Sequence, residues 1–218
     1  IFNIEKLFSN KKIIDSKLLS VSFGINCLLI EIDDKKKYVV KYYKDTNKGF
    51  NAIKSESKNL VFFSDLEYFY FPKVQNINNK YLIMSYFENN EHKPEEIEDN
   101  LLNAITNLHK MGSDNFGFDF DTQIGGLRQI NSKKINWVDF YREQRLGYIF
   151  DIINSNCPMD TSTNNKIEKL ITNLYNFIPE KPNASLLHGD LWEGNILFYD
   201  KKFVGFIDPG SFYGHNEL

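Results

Sequence analysis

The chain has 218 residues, 42% of them hydrophobic and 25% charged, with a formal net charge of −3. At this length, folding buries roughly 70% of the surface an unfolded chain exposes, enough for one large domain or two small lobes. The weakly acidic balance excludes the electrostatic footprint of a nucleic-acid or anionic-membrane binder. No apolar run is long enough to span a bilayer. Two cysteines, Cys27 and Cys157, are too few for a disulfide framework and are not spaced for a metal, so a reduced, cytoplasmic compartment is expected.

The opening "IFNIEKLF" lacks the basic leader and apolar core of a secretory signal, and the sequence starts without Met, which leaves room for residues upstream. Residues 17–21 (KLLSV) predict a strand ending in a turn at Gly24. Residues 27–32 (CLLIEI) and 37–43 (KYVVKYY) predict a hairpin around Asp33–Asp34, with Lys35–Lys37 as turn and not as a binding patch. The segment 48–63 places Phe50, Ile53, Leu60 and Phe63 on one helical face. The apolar stretch 59–74, interrupted by Asp65 and Glu67, predicts a helix end and then a strand; 80–87 (KYLIMSYF) predicts a buried strand.

Beyond this point helices dominate. Residues 94–112 carry Pro94 and acids in a first turn and Gly112 just past the end. Residues 136–153 and 164–178 predict two more helices, the latter stopped by Pro179, and Trp137 reads as core. Short strand-like pieces follow at 186–190, 196–199 and 203–208. A strand-rich part, 1–88, followed by a helix-rich part, 89–218, suggests an α+β protein of two lobes.

The segment "SLLHGDLWEGNILF", 185–198, sets acids, an amide and two glycines between apolar runs. Asp190 and Asn195 are five residues apart, and Asp208 in "GFIDPG" follows thirteen later. That spacing matches protein kinase catalytic loops, where a carboxylate takes the proton of the attacking hydroxyl and an amide and a second carboxylate hold magnesium. The chemistry needs these types, because a hard divalent cation takes oxygen ligands and the base must stand apart from them. A kinase also needs a strand Lys to grip phosphates and a helical acid to hold that Lys. Lys41, flanked by apolar residues in "YVVKYY", and Glu56, fifteen residues on, fill these places. The phosphate-covering turn would be "VSFGIN", which holds the single glycine Gly24.

With "HGDLWEGN" and "FIDPGSFYGHNEL", the chain resembles the fructosamine (ketosamine) kinase family, a branch of the aminoglycoside phosphotransferase-like kinases. Trp192, Asp208, Pro209, Tyr213, Gly214, His215 and Glu217 carry the likeness, supported by Gly125, Gln129, Asn131, Trp137, Phe140, Arg142, Arg145 and Leu146. The resemblance implies a two-lobed protein kinase-like fold, with an antiparallel N-terminal sheet and one helix in a nucleotide-binding lobe (1–88) and a mainly helical catalytic lobe (89–218). It implies an ATP- and Mg2+-dependent kinase phosphorylating the sugar hydroxyl of ketoamines, the adducts of sugars with amines, including protein lysines; the amine is then released, which is deglycation. Asp190 would be the base, Asn195 and Asp208 the metal ligands, Lys41 and Glu56 the phosphate anchor. Trp192 would lie beside the sugar, and adenine would meet backbone groups near Ser85 and Phe87.

Two departures stand out. The family usually has more glycine where this chain has Ser22 and Phe23, and family members continue past the position of Leu218, so the molecule reads as incomplete. The stretch between His188 and Asn195 leaves open a related kinase of the aminoglycoside or choline type, and a non-catalytic pseudokinase.

Overall fold

The computed structural model describes residues 4–8, 11–47, 49–90 and 92–218. Residues 1–3 of the opening segment and Lys48, where the predicted first helix begins, lie outside the described residues. In chain order the elements are β1 (Ile13–Ser22), β2 (Ile25–Ile32), β3 (Lys37–Tyr43), α1 (Ala52–Asp65), β4 (Val74–Ile77), β5 (Tyr81–Ser85), α2 (Asp99–His109), β6 (Gly112–Ser113), β7 (Thr122–Ile124) and β8 (Leu127–Gln129). There follow α3 (Trp137–Tyr141), a π-helical segment (Arg142–Gly147), α4 (Tyr148–Asn156), α5 (Thr161–Thr172), β9 (Ala184–Leu187), β10 (Ile196–Tyr199), β11 (Lys202–Phe206) and β12 (Phe212–His215). The chain is α+β, as expected. Two compact units form: one holds Ile1–Leu102, Gln123–Arg128 and Asp190–Gly210, the other Asn103–Thr122, Gln129–Gly189 and Ser211–Leu218.

The first unit is built on an antiparallel sheet of order β1-β2-β3-β5-β4. Period-two alternation in β2 turns Leu28, Ile30 and Ile32 inward, where they meet Val40 and Ile83. Helix α1 buries Ile53, Leu60 and Phe63. Its N-cap is Asn51, whose side chain accepts from the Lys54 N–H at 2.9 Å, so Phe50 precedes the helix and does not share its face.

The strand expected after α1 is displaced. Residues 67–73 instead form an aromatic knot in which Phe71 stacks on Phe63 at 3.9 Å and packs at 5.6 Å from Phe206; pairing resumes only at Val74, beyond Pro72. Proline cannot donate to a ladder, and the rings gain more by burial than by pairing.

Helix α2 starts at Asp99, five residues after Pro94, and Gly112 lies in β6 and not in a helix cap. Helix α5 begins at Thr161 under an Asp160 cap (Oδ1 accepts from Thr163 N–H, 3.0 Å) and stops at Thr172, well before Pro179. A three-stranded sheet, β12-β9-β6, carries the chain towards Asp190; the β12 strand and the β7–β8 pair were not foreseen. Trp137 is buried, as expected. Among the described residues no helix is long and apolar enough to cross a membrane.

The predicted helix 136–153 is helical throughout but widens into a π turn at Arg142–Gly147. There Arg145 turns inward: its guanidinium donates to Ile130 O (2.7 Å) and Asn131 Oδ1 (2.6 Å), and lies 4.1 Å from the Phe212 ring centre. Burial pulls the Arg145 pKa down to about 9, against attraction from Tyr141 and Asp121. Arg145→Ala is expected to destabilise the chain by about 3 kcal/mol, because two partly buried acceptors and the faces of Phe140 and Phe212 lose their cation. Urea unfolding of parent and variant measures this, and a loss under about 0.5 kcal/mol would remove Arg145 from the core.

Candidate active site

All nine residues singled out for a site fall in the first unit. Lys41 is held by sheet register, opposite Cys27 on one side and Leu82 on the other, which buries a charge that water would otherwise solvate. Its Nζ donates to Glu56 Oε1 and Oε2 at 2.7 and 2.9 Å, and to Asp208 Oδ1. Glu56 is 4% exposed and reaches the lysine from α1. Burial works against the Lys41 charge, but Asp208 and Glu56 outweigh it and hold its pKa above the usual lysine range. Burial acts on Glu56 the other way and raises its carboxyl to about 7, against the pull of Lys41 and with the push of Asp208.

Asp208 follows β11. That strand is fixed by Phe206 N–H to Tyr70 O (2.7 Å) and by Ile207 N–H to Asn195 O (3.0 Å). Asp208 itself adopts φ 56°, a left-handed conformation in which a non-glycine residue is strained. Asn195 ends a short turn after Trp192; its Nδ2 donates to Asp190 O (2.8 Å) and Asp190 Oδ2 (3.2 Å), which directs Oδ1 away from Asp190. Asp190 is half-buried, and burial raises its pKa above the usual carboxylate value, with Asn195 opposing and Asp208 reinforcing.

Two cavities meet these residues, except Asn195, which is buried beside them and lines neither. One, of about 120 Å³, is lined by Ser22, Phe23, Lys41, Gln123, Asp190 and Asp208. The other, of about 810 Å³, is faced by Leu29, Val39, Met84, Phe87, Ile196 and Ile207, and Lys41 and Asp208 also line it. Its size and apolar walls suit a flat heteroaromatic ring.

Ser85 offers less than expected, because its N–H already goes to Lys73 O (2.9 Å) and its Oγ accepts the Lys73 N–H (2.9 Å). At Phe87, Asn89 Nδ2 braces the carbonyl at 2.7 Å.

Gly24 completes a two-residue turn but lines neither cavity, whereas its neighbours Ser22 and Phe23 do. Trp192 also lines neither. It is 58% exposed and folds over Gly194, where an added Cβ would sit 2.3 Å from the indole Cη2.

Sequence reasoning missed Gln123 and Gly126 and named Gly125 only for the family likeness; all three enter the smaller cavity from the β7–β8 hairpin. The Gly-Gly pair was the available signal, since two adjacent glycines favour a tight hairpin turn.

The donor set suits a hard cation: carboxylate and amide oxygens from Asp208 and Asn195. Among the described residues no three His, Cys, Asp or Glu side chains cluster to cage a metal. Magnesium bound through one or two protein oxygens and shared with phosphates matches that pattern.

The fructosamine kinase family model matches residues 7–218. Protein-ribulosamine 3-kinase, chloroplastic, from Arabidopsis thaliana is 35% identical over 142 residues; the match takes in 63% of this chain and 42% of that relative, so the chain spans less than half its length. A crystal structure from Thermobifida fusca, assigned as a fructosamine-3-kinase, superposes with a TM-score of 0.80 at 23% identity, covering 95% of this chain and 72% of that one. The streptomycin–ATP complex of the aminoglycoside phosphotransferase APH(2'')-IIa superposes at 0.66 with 20% identity, covering 98% and 71%. At these identities the likeness is one of fold, and the fold is kinase-like.

Proposed function

This chain belongs to the fructosamine kinase family, and on that premise we propose that it carries the catalytic machinery of an ATP- and Mg2+-dependent kinase. The acceptor is the sugar hydroxyl of a ketoamine, free or on a protein lysine, and the consequence is deglycation. The observation that carries this reading is the single lysine Nζ shared by Glu56 and Asp208, in the same unit as the Asp190–Asn195 pair. The ribulosamine kinase relative supports the acceptor class, and the ATP-bound structural neighbour supports the donor.

Each residue then has a task. Lys41 neutralises the phosphates of ATP, and Glu56 keeps it pointed there. Asn195 and Asp208 would hold the divalent cation, which when bound screens the charge of the transferring group. Asp190 accepts the hydroxyl proton as the hydroxyl oxygen forms its bond to the γ-phosphorus and the bond to ADP breaks. Adenine takes the larger cavity beside Phe87. Both cysteines are free thiols, which fits work in a reducing, cytoplasmic setting.

Two tests follow. Magnesium–ATP turnover of the complete protein against ribulose-lysine, fructose-lysine and an aminoglycoside identifies the acceptor; phosphorylation of the aminoglycoside alone would move the protein to the second reading, an antibiotic-type kinase. Asp208→Ala is expected to weaken magnesium-dependent ATP binding by roughly a hundredfold or more, since even outer-shell changes cost about 10–100-fold in metal affinity. Unchanged affinity by titration calorimetry would contradict the metal assignment.

A further inference from the structure

We propose that Phe23 is a specificity-determining residue of this site: its ring rests on Gly125 and Gly126 and closes the phosphoryl-transfer chamber, so that a sugar hydroxyl and not water receives the γ-phosphoryl group. The inference rests on the kinase reading above and extends it to the competing acceptor.

Strands β1 and β2 pair up to Ser22 and Ile25, which leaves Phe23 and Gly24 as a two-residue turn. Their φ values are 48° and 74°, the signature of a type I′ turn, whose first position favours Asn, Asp or Gly. A phenylalanine there costs on the order of 1 kcal/mol of backbone strain. Burial does not offset that cost, because Phe23 is 65% exposed.

What the ring does have is a fitted seat. A Cβ on Gly126 would lie 2.7 Å from Phe23 Cβ and 2.8 Å from its Cγ, and one on Gly125 would lie 3.3 Å from its Cε2. Only a pair of glycines lets the ring approach so closely. Their turn is tied down by the Gly126 N–H donating to Gln123 Oε1 at 2.8 Å.

Phe23 and its seat line the same cavity as Lys41, Asp190 and Asp208. At about 120 Å³ it has space for about four waters. Any of them could surrender a proton to Asp190 and take the phosphoryl group, giving inorganic phosphate and ADP in place of the sugar phosphate and ADP. Excluding water at closure is a general demand on phosphoryl transfer. A strained, exposed aromatic ring seated on two glycines at the chamber wall answers it.

The test measures, in the full-length protein with Mg–ATP and saturating ketoamine, the ratio of phosphate released to acceptor phosphorylated. Phe23→Ala and Gly126→Ala are both expected to raise that ratio about tenfold, the second by pushing the ring off its seat; Phe23→Tyr, which keeps the ring, stays at the parent ratio. In the same samples, release of a mant-labelled ATP chased with unlabelled ATP is expected to quicken about tenfold in both disrupting variants. A ratio and a release rate within twofold of the parent in both would overturn the proposal. A parent that binds nucleotide but phosphorylates no ketoamine sinks the acceptor reading instead, and the closure by Phe23 is then judged on release alone. A parent that binds no nucleotide sinks both.

Discussion

Replacing Asp190 by Asn is expected to slow phosphoryl transfer by about 10²–10⁴-fold, the usual contribution of a positioned general base, while ATP affinity stays within about twofold. The split follows from the geometry. Asp190 pairs with Asn195, whereas Lys41, Glu56 and Asp208 are tied to one another. The substitution keeps the shape of the side chain and removes its ability to accept a proton. Burial already holds the Asp190 pKa above that of a surface aspartate, which makes it a better base. Single-turnover kinetics beside equilibrium nucleotide binding decide the matter. A variant that transfers at the parent rate would strip Asp190 of its role, and one that loses nucleotide binding would make it a structural residue.

Lys41→Met is expected to cost about 3–5 kcal/mol of stability, as is usual when one partner of a buried ion pair is removed. Glu56 is nearly inaccessible to solvent, and without the lysine its carboxylate faces Asp208 with no cation between them. The loss depends on pH. Burial gives Glu56 a folded-state pKa of about 7, above its ordinary 4.5, so the folded chain holds that proton more tightly than the unfolded chain does. The resulting stabilisation is complete below pH 4.5 and fades as pH rises through about 7.

Glu56→Gln cannot titrate and is therefore expected to flatten the fall in stability across that window. The Lys41→Met deficit should widen above about pH 7, where the parent's Glu56 ionises against Lys41 and the variant's has no cation to ionise against. Denaturant unfolding at about pH 5 and about pH 8 separates the two variants. A parent whose stability does not change between those values would refute the assignment of a raised Glu56.

Much of this site could be read along the chain because its chemistry is local. The interval from Asp190 to Asn195 is one turn of backbone, and the step to Asp208 is one hairpin, so sequence spacing translates almost directly into distance. Lys41 and Glu56 were legible for a different reason. A lysine between apolar residues in a strand has to find a partner, and a glutamate on the buried face of the next helix is a natural one. The strands around Gly24 and Asp33–Asp34 followed from alternation and turn chemistry, and Trp137 is in the core as its setting suggested.

Long-range packing determined what the sequence order did not disclose. Residues 67–73 abandon strand pairing because Phe63, Phe71 and Phe206, far apart in the chain, bury more surface as a cluster. The first unit draws in Gln123–Arg128 and Asp190–Gly210, so its chamber is walled by segments that no contiguous domain boundary would group. Trp192, placed beside a sugar by resemblance, lies over Gly194, a contact two residues away that depends on the turn between them. By itself the sequence determined which groups could do chemistry, because residue type and short-range spacing fix charge, basicity and turn geometry. Only the tertiary structure decided what surrounds those groups, because burial and ring-on-glycine contact are properties of segments brought together from across the chain.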